Sequence, residues 1–143
     1  MLNLADVAAY RAHFEAAYCH GPIRTFDGIE VRFRKGDFEH CCFESSRRNK
    51  VKDKFSKNRA RRLDWIKTAL EDPNSEQYQG WDKNRKRYDR QRRVILVMGN
   101  YVVVIALKNL KRADFVTAYV ADTPASPGRP STVERIRMGP KWA

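Results

Sequence analysis

The chain has 143 residues, which suits one domain with a hydrophobic core of ordinary size. It carries 29 lysines and arginines against 17 aspartates and glutamates, and this net charge of +12 favours an anionic partner: nucleic acid first, then an anionic membrane surface or an acidic protein. Residues 47–93 contain 17 of the basic residues and only 7 of the acidic ones, so most of the excess charge lies in one third of the chain.

The cysteines and the apolar runs exclude further classes of protein. The chain has three cysteines, and their number and spacing fit neither a disulfide framework nor a zinc site, which indicates a reducing cytoplasm. The N-terminus lacks a signal-peptide pattern, and no apolar run approaches the ~20 residues that span a bilayer. We therefore expect no membrane partner. The cysteines are Cys19, Cys41 and Cys42.

The first third of the chain predicts a helix and a strand. Residues 4–18 show a rough apolar stripe that Asn3 or Asp6 can cap, which is typical of a helix. Residues 25–35 alternate between apolar and polar side chains, which predicts a half-buried strand. Residues 38–46 fit either a second strand or the lead-in to a longer helix. The apolar face of the first strand consists of Ile29, Val31 and Phe33.

A long basic helix is predicted from Arg47 to Leu70, ending just before Pro73. At about 100° per residue, its apolar residues fall on one stripe, with Arg59 in the middle and Arg62 on the edge. Two interpretations are equally good: the helix lies along a site with Arg59 over a sheet, or Arg59 snorkels past the edge of a thin core. The apolar stripe consists of Val51, Phe55, Leu63, Ile66 and Leu70.

The second half of the chain predicts the sheet. Residues 74–90 are polar and suggest a loop with a strand fragment. Residues 92–98 and 101–107 are almost wholly apolar on either side of a Gly-Asn turn, which predicts a tight hairpin of strands covered on both faces. Residues 115–120 alternate and predict a further strand. N-terminal helices packed on an antiparallel sheet of about four strands give a small α+β fold.

The composition changes after residue 122. Residues 123–132 are rich in Pro, Ser and Gly, which predicts a flexible segment. We therefore expect one domain over residues 1–122 and a flexible C-terminal tail over residues 123–143. The apolar residues of this tail can dock back on the domain, and they are Ile136, Met138 and Trp142.

Four motifs resemble those of one nuclease family. They are H-C-x-F-E from His40, F-x-x-x-R-A-x-R-x-x-W-I from Phe55, the apolar hairpin with Y-V-V-V-I from Tyr101, and F-V-T-A-Y from Phe115. Over residues 28–122 the chain resembles the phage-associated branch of the barnase/EndoU/colicin/RelE-like nucleases (the BECR fold). The resemblance implies helices on one face of a four-stranded antiparallel sheet and a metal-independent, toxin-type ribonuclease that needs no cofactor.

The resemblance also implies a set of catalytic residues. His40 matches the family's early histidine, Arg59 and Arg62 match basic positions in its helix, and Thr117 and Tyr119 match its last strand. The chemistry suits RNA cleavage, since an imidazole with an ordinary pKa of about 6.5 moves protons near neutral pH. Arginine binds phosphate in a bidentate manner, and tyrosine donates to phosphate or stacks on a base. Each residue also has a purely structural interpretation, as a packed or solvent-facing side chain.

Other residues are candidates for binding the substrate. Three aromatic residues stand among basic ones between residues 78 and 90, where they either stack on unpaired bases or cover the hairpin. Glu44 follows His40 by four positions and either assists the imidazole or is an exposed carboxylate. The basic candidates are Lys52, Arg85, Lys86 and Arg87, and the aromatic ones are Tyr78, Trp81 and Tyr88.

These observations predict a metal-independent endoribonuclease that cleaves RNA, such as tRNA, by attack of a 2′-OH on the adjacent phosphate. A toxin of this kind also predicts an acidic immunity or antitoxin protein that covers the basic face. The same charge fits a non-catalytic RNA- or DNA-binding module. A third hypothesis, an interaction domain attached to a phage protein, rests only on the apolar tail around Trp142.

Overall fold

The structure, a computed structural model, describes residues 1–45, 53–82, 84–121 and 124–142. The helices within these ranges are α1 (Val7–Tyr18), α2 (Asp37–Cys42), α3 (Lys57–Ala60), α4 (Asp64–Glu71) and α5 (Thr132–Met138). The strands are β1 (Ile23–Arg24), β2 (Glu30–Arg32), β3 (Phe43–Glu44), β4 (Lys54–Phe55), β5 (Glu76–Asp82), β6 (Arg87–Val97), β7 (Tyr101–Leu107) and β8 (Arg112–Val120). None of these helices has the length and apolar character that a bilayer span requires.

The main sheet has six strands in the order β1-β2-β8-β7-β6-β5, and β3 pairs with β4 in a separate small sheet. Strand β2 runs parallel to β8, whereas the other neighbours in the main sheet are antiparallel. The prediction of N-terminal helices on about four antiparallel strands was therefore wrong. The sheet is larger and mixed, and α5 follows the last strand. Strands β2 and β8 pair although Glu30 and Arg112 are 82 positions apart, and such pairing leaves no local pattern from which this order could be predicted.

The core has two layers, one on each face of the sheet. Residues 101–105 of β7 are all buried, which confirms the prediction of a central strand covered on both faces. On one face, Val103 and Ile105 pack with α1, α2 and α4. On the other face, Val102 and Val104 lie in a smaller cluster against which α5 packs.

The first third of the chain largely follows its local pattern. Helix α1 begins after Asp6, whose Oδ1 accepts a hydrogen bond of 2.8 Å from the Ala9 amide. Ile29, Val31 and Phe33 are all buried, as their alternation predicted, although only Glu30–Arg32 form a strand. Residues 37–42 form α2, so the expected second strand is reduced to the two residues of β3.

The continuous helix predicted from Arg47 to Leu70 was wrong. Residues 46–52, which include Val51 and Lys52, lie outside the described residues. Strand β4 pairs with β3 and brings Phe55 against the rings of Phe38 and Phe43. Ser56 then caps α3, because its Oγ accepts a hydrogen bond of 3.2 Å from the Arg59 amide. These contacts favour a short strand and a separate helix over the single continuous helix that the spacing of the apolar residues predicted. The last helix of the segment, α4, does end before Pro73 as predicted.

The loop predicted over residues 74–90 was also wrong. Strand β5 and the start of β6 form an antiparallel hairpin at the edge of the sheet. The polar composition of these residues did not indicate strands, because an edge hairpin leaves many of its side chains in water. The alternation is visible only in the buried positions, Tyr78 and Gly80.

The C-terminal segment packs on the sheet and then extends its edge. The Gln79 amide donates to the Pro140 carbonyl oxygen, and the Trp142 amide donates to the Gln77 carbonyl oxygen, both at 2.9 Å. The Trp142 ring lies 4.5 Å from the guanidinium carbon of the buried Arg93. Ile136 packs against the smaller core, whereas Met138 is exposed. The division of the chain at residue 122 stays a prediction.

Candidate active site

Strand β8 carries the candidate site because, among the described residues, its outer edge is paired with another strand only at its beginning. Strand β2 pairs only with residues 112–114, and α2 and α3 lie against β8. Thr117 pairs with Val104, and Tyr119 pairs with Val102. Directly paired residues share a face of a sheet, so Thr117 and Tyr119 lie on the face that carries the smaller core. The register shifts at Val116, which packs against the same core.

His40 is attached to this strand through its backbone. The Thr117 Oγ1 donates a hydrogen bond of 2.8 Å to the His40 carbonyl oxygen. The residue itself is exposed, and within the described ranges its imidazole makes no hydrogen bond. The histidine thus sits in the last turn of α2, next to β8, with its ring open to solvent and to a ligand.

Arg59 is a largely buried cation next to the same strand. Its side chain is only 19% exposed, and its Nε lies 3.3 Å from the Glu44 Oε1. Glu44 therefore pairs with Arg59, and no hydrogen bond joins its carboxylate to His40 among the described residues. The low exposure favours the interpretation in which Arg59 faces the sheet over the one in which it snorkels into water.

Tyr119 lies within the electrostatic influence of two arginines. Burial raises the pKa of Tyr119, and the positive charges of Arg59 and Arg135 both lower it in part. Two guanidinium groups, one from α3 and one from α5, thus act on one phenol. Because the net pKa shift is upward, the hydroxyl stays protonated at neutral pH and is available as a hydrogen-bond donor.

Arg62 lies apart from this group. Its Nη1 contacts the backbone oxygen and the side-chain oxygen of Asn58, and its guanidinium carbon lies 5.1 Å from the centre of the Trp65 ring. Trp65 in turn contacts Tyr101, which belongs to the core on the helix-covered face. The structure therefore brings His40, Arg59, Thr117 and Tyr119 together around β8 but places Arg62 on the other face of the sheet.

The basic candidates for substrate binding lie on the β5–β6 hairpin. Arg85 and Lys86 are exposed in its turn, and Arg87 is exposed at the start of β6. The fourth candidate, Lys52, lies outside the described residues.

The aromatic residues of the hairpin differ from one another. Trp81 and Tyr88 form a cross-strand pair with ring centres 5.1 Å apart at an angle of 78°, and they are 48% and 41% exposed. Tyr78 is buried, and its hydroxyl donates to the Glu76 carboxylate at 2.8 Å. Trp81 and Tyr88 are therefore the two aromatic candidates that remain open to a base.

A cavity of about 580 Å³ connects the hairpin with Tyr119. It lies between α5 and the sheet, so the aromatic pair and the Tyr119 phenol face one space. The residues that line this cavity are Gln79, Trp81, Tyr88, Val94, Tyr119, Thr132, Arg135 and Ile136.

Sequence reasoning missed Arg135 because the tail was expected to be flexible. A signal was present: Ser131 and Glu134 have the spacing of a capping box. In the structure the Ser131 Oγ accepts a hydrogen bond of 3.1 Å from the Glu134 amide, and α5 begins there.

A larger cavity of about 870 Å³ lies at the opposite end of β8, next to Arg112 and Asp114. It is lined by basic residues, but Arg34 and Lys108 both lie near the Asp114 carboxylate, at 3.5 and 3.3 Å. None of the predicted site residues that the structure describes lines it. We therefore take the cavity that includes Tyr119 as the candidate site.

The described residues contain no cluster of three or more histidine, cysteine, aspartate or glutamate side chains that could hold a metal ion. Neither a protein-family model, nor a curated protein, nor a solved structure matches the chain.

Proposed function

We propose that this chain is a metal-independent endoribonuclease that cleaves RNA through attack of a 2′-OH on the adjacent phosphate. The observation that carries the proposal is that Tyr119 lines one cavity with Arg135 and also lies within the electrostatic influence of Arg59. Two cations and a protonated hydroxyl form a group that suits a phosphate whose negative charge grows during the reaction. The bond between Thr117 and His40 adds a histidine next to the same strand.

Each residue has a role in this reaction. The His40 imidazole takes the proton of the attacking 2′-OH, because imidazole is the side chain best suited to proton transfer near neutral pH. Arg59 and Arg135 stabilise the charge on the phosphorane, and Tyr119 donates a hydrogen bond to a phosphate oxygen. The P–O5′ bond breaks, and the 5′ oxygen takes a proton from Tyr119 or from solvent. The products are a 2′,3′-cyclic phosphate and a 5′-OH.

The substrate class follows from the charge and from the resemblance over residues 28–122. An RNA such as tRNA carries the phosphates that the exposed hairpin cations at residues 85–87 would bind. A toxin of this kind acts in the cytoplasm, where an acidic immunity or antitoxin protein would neutralise it by covering the basic face.

The test uses the purified protein with total tRNA in the presence of EDTA. We expect discrete fragments that end in 2′,3′-cyclic phosphate, and we expect His40→Ala and Arg59→Ala to abolish them. His20→Ala is the matched control, because His20 is also exposed but lines the other cavity. Cleavage that survives in both site variants, or that disappears in EDTA, would overturn the proposal.

A second candidate function is RNA or DNA binding without catalysis. It is favoured by the His40 ring, which no hydrogen bond orients among the described residues, and by an exposed aromatic and basic hairpin that does not depend on His40. In that case tRNA binds to the purified protein without being cut, and His40→Ala binds it as well as the unaltered chain.

A further inference from the structure

We propose that the cavity between α5 and the sheet binds one unpaired nucleotide of a single strand, with the base against Trp81 and Tyr88 and the phosphate next to Arg135 and Tyr119. We call it the nucleotide cavity. The proposal deepens the proposed function and rests on it for the identity of the ligand. It concerns binding alone, however, so it can be tested without cleavage.

The aromatic pair forms the wall for the base. Trp81 and Tyr88 leave nearly half of their surfaces in water, although both are large and apolar. Two such rings side by side on a hairpin form an apolar patch that suits the flat face of a base, and every base has such a face. Gln79 lines the same cavity and can form hydrogen bonds with the edge of a base through its amide.

The opposite wall provides the site for the phosphate. Arg135 lines the cavity from α5, and Tyr119 lines it from β8. The planar guanidinium group of arginine matches two phosphate oxygens at once. The cavity therefore has an apolar aromatic end and a cationic end, as a nucleotide requires. Its volume of about 580 Å³ also lies within the range of small-ligand sites.

The cavity is preformed because α5 is attached to the sheet next to it. The Arg137 Nε and Nη2 donate to the two carboxylate oxygens of Glu76 at 3.1 and 2.9 Å. A Cβ atom added at Gly139 would lie 3.0 Å from the Tyr88 ring, so the chain after α5 abuts that ring. A preformed site loses less conformational entropy when it binds its ligand.

The position between a helix and a sheet selects single strands. A base reaches Trp81 and Tyr88 inside this cavity only if it is not stacked and paired in a duplex. The cations of the hairpin, Arg85, Lys86 and Arg87, then bind the neighbouring phosphates without regard to sequence. The ligand is therefore a loop or an end of RNA, where unstacked bases are found.

The experiment uses 2′-O-methyl oligonucleotides, which lack the 2′-OH and cannot be cleaved by the proposed reaction. Binding is followed by tryptophan fluorescence and by anisotropy of a labelled strand. We expect the single strand to quench the tryptophan emission and to bind more tightly than the same sequence in a duplex. Trp81→Ala and Tyr88→Ala should each weaken binding about tenfold, which corresponds to the usual contribution of one stacked base. Replacing every base with an abasic site should weaken binding similarly.

Three variants separate stacking from other effects. Tyr88→Phe keeps the ring and should therefore retain more affinity than Tyr88→Ala. Arg135→Ala should also weaken binding and should reduce its dependence on salt concentration. Phe26→Ala is the matched control, because Phe26 is 43% exposed but does not line this cavity, so we expect it to leave binding unchanged.

The outcomes distinguish this inference from the proposed function. The proposal of a nucleotide cavity is overturned if duplex and single strand bind equally well. It is also overturned if the affinity is unchanged in both Trp81→Ala and Tyr88→Ala, even if RNA is cleaved. If Trp81→Ala and Tyr88→Ala weaken binding as expected, the nucleotide cavity is supported even if no RNA is cleaved. In that case only the proposed catalysis fails. Circular dichroism of each variant verifies that the fold is intact.

Discussion

The Thr117 Oγ1 donates a hydrogen bond of 2.8 Å to the carbonyl oxygen of His40, across 77 positions of sequence. This bond joins the last turn of α2 to the strand that carries Tyr119. The histidine and the tyrosine are thus held on neighbouring elements by a contact to a backbone atom, and the position of His40 depends on a side chain that does not itself move protons. Thr117 is therefore a positioning residue in the proposed reaction.

Replacing Thr117 with valine should slow cleavage more than it weakens binding. Valine has nearly the same shape, so we expect a loss of only about 1 kcal/mol in stability from the missing hydrogen bond. A small displacement of His40 should lower the single-turnover rate about tenfold, because proton transfer depends steeply on geometry. RNA affinity should change less than twofold.

Thr68→Val is the control for this variant. Its Oγ1 donates to the Asp64 carbonyl oxygen at 3.4 Å on the exposed side of α4, away from the proposed site. If Thr117→Val cleaves as fast as Thr68→Val, His40 does not need the bond to β8 for its function.

Replacing Arg59 with lysine should impair cleavage although the charge is kept. Lysine cannot reproduce the planar fork that binds two phosphate oxygens, and its shorter reach also weakens the pairing with Glu44. We expect the rate to fall by roughly 10- to 100-fold. Arg61→Lys makes the same change two residues away and should leave the rate unaltered. Equal rates in the two variants would mean that only the total charge matters.

The interaction between Asp27 and Arg93 should contribute to stability rather than to function. Arg93 is 1% exposed, and its Nη1 and Nη2 donate to the two Asp27 oxygens at 3.1 and 2.8 Å. Asp27→Asn removes the negative charge and leaves a buried cation without its counter-charge. We expect the free energy of unfolding to fall by about 3 kcal/mol in urea titrations.

The exposed pair of Arg24 and Glu30, at 3.3 Å, is the comparison for this effect. Glu30→Gln should change the free energy of unfolding by only about 0.5 kcal/mol, because water screens this pair. A similar small change in Asp27→Asn would show that Arg93 finds another partner, and its contact with Trp142 would then be the first to examine.

The local sequence pattern was sufficient to predict those segments that bury one regular face. The hairpin of β6 and β7 and the alternation of Ile29, Val31 and Phe33 were predictable, because apolar side chains recur with the strand period. The 47–70 segment shows the limit of this argument. Its stripe fitted a helix, but Phe55 gains more from the aromatic cluster around Phe38 than from a continuous helix.

The candidate site was predictable only in part, because it combines segments distant in sequence. The shared face of Thr117 and Tyr119 followed from the strand period. The contribution of Arg135 did not, since α5 is a short helix in a segment whose composition suggested flexibility. Neither the hydrogen bond to the His40 carbonyl nor the pairing of Glu44 with Arg59 could be inferred, because each depends on the packing of α2 and α3 next to the part of β8 that lies beyond its pairing with β2.

Acid should release α5 from the sheet before the domain unfolds. The hydrogen bonds from Arg137 lower the pKa of Glu76, and the Tyr78 hydroxyl adds to this effect. A carboxylate whose pKa is lowered in the folded state stabilises that state fully above its unfolded pKa, about 4.3, and the contribution is lost as the pH falls through the lower folded value. Hydrogen exchange by mass spectrometry, corrected for the intrinsic pH dependence, should therefore show faster exchange in α5 below about pH 4.

Peptides from α4 serve as the internal control, and Glu76→Gln should give fast exchange in α5 already at pH 7. If α5 and α4 lose protection together in the unaltered chain, the attachment of α5 does not depend on this carboxylate.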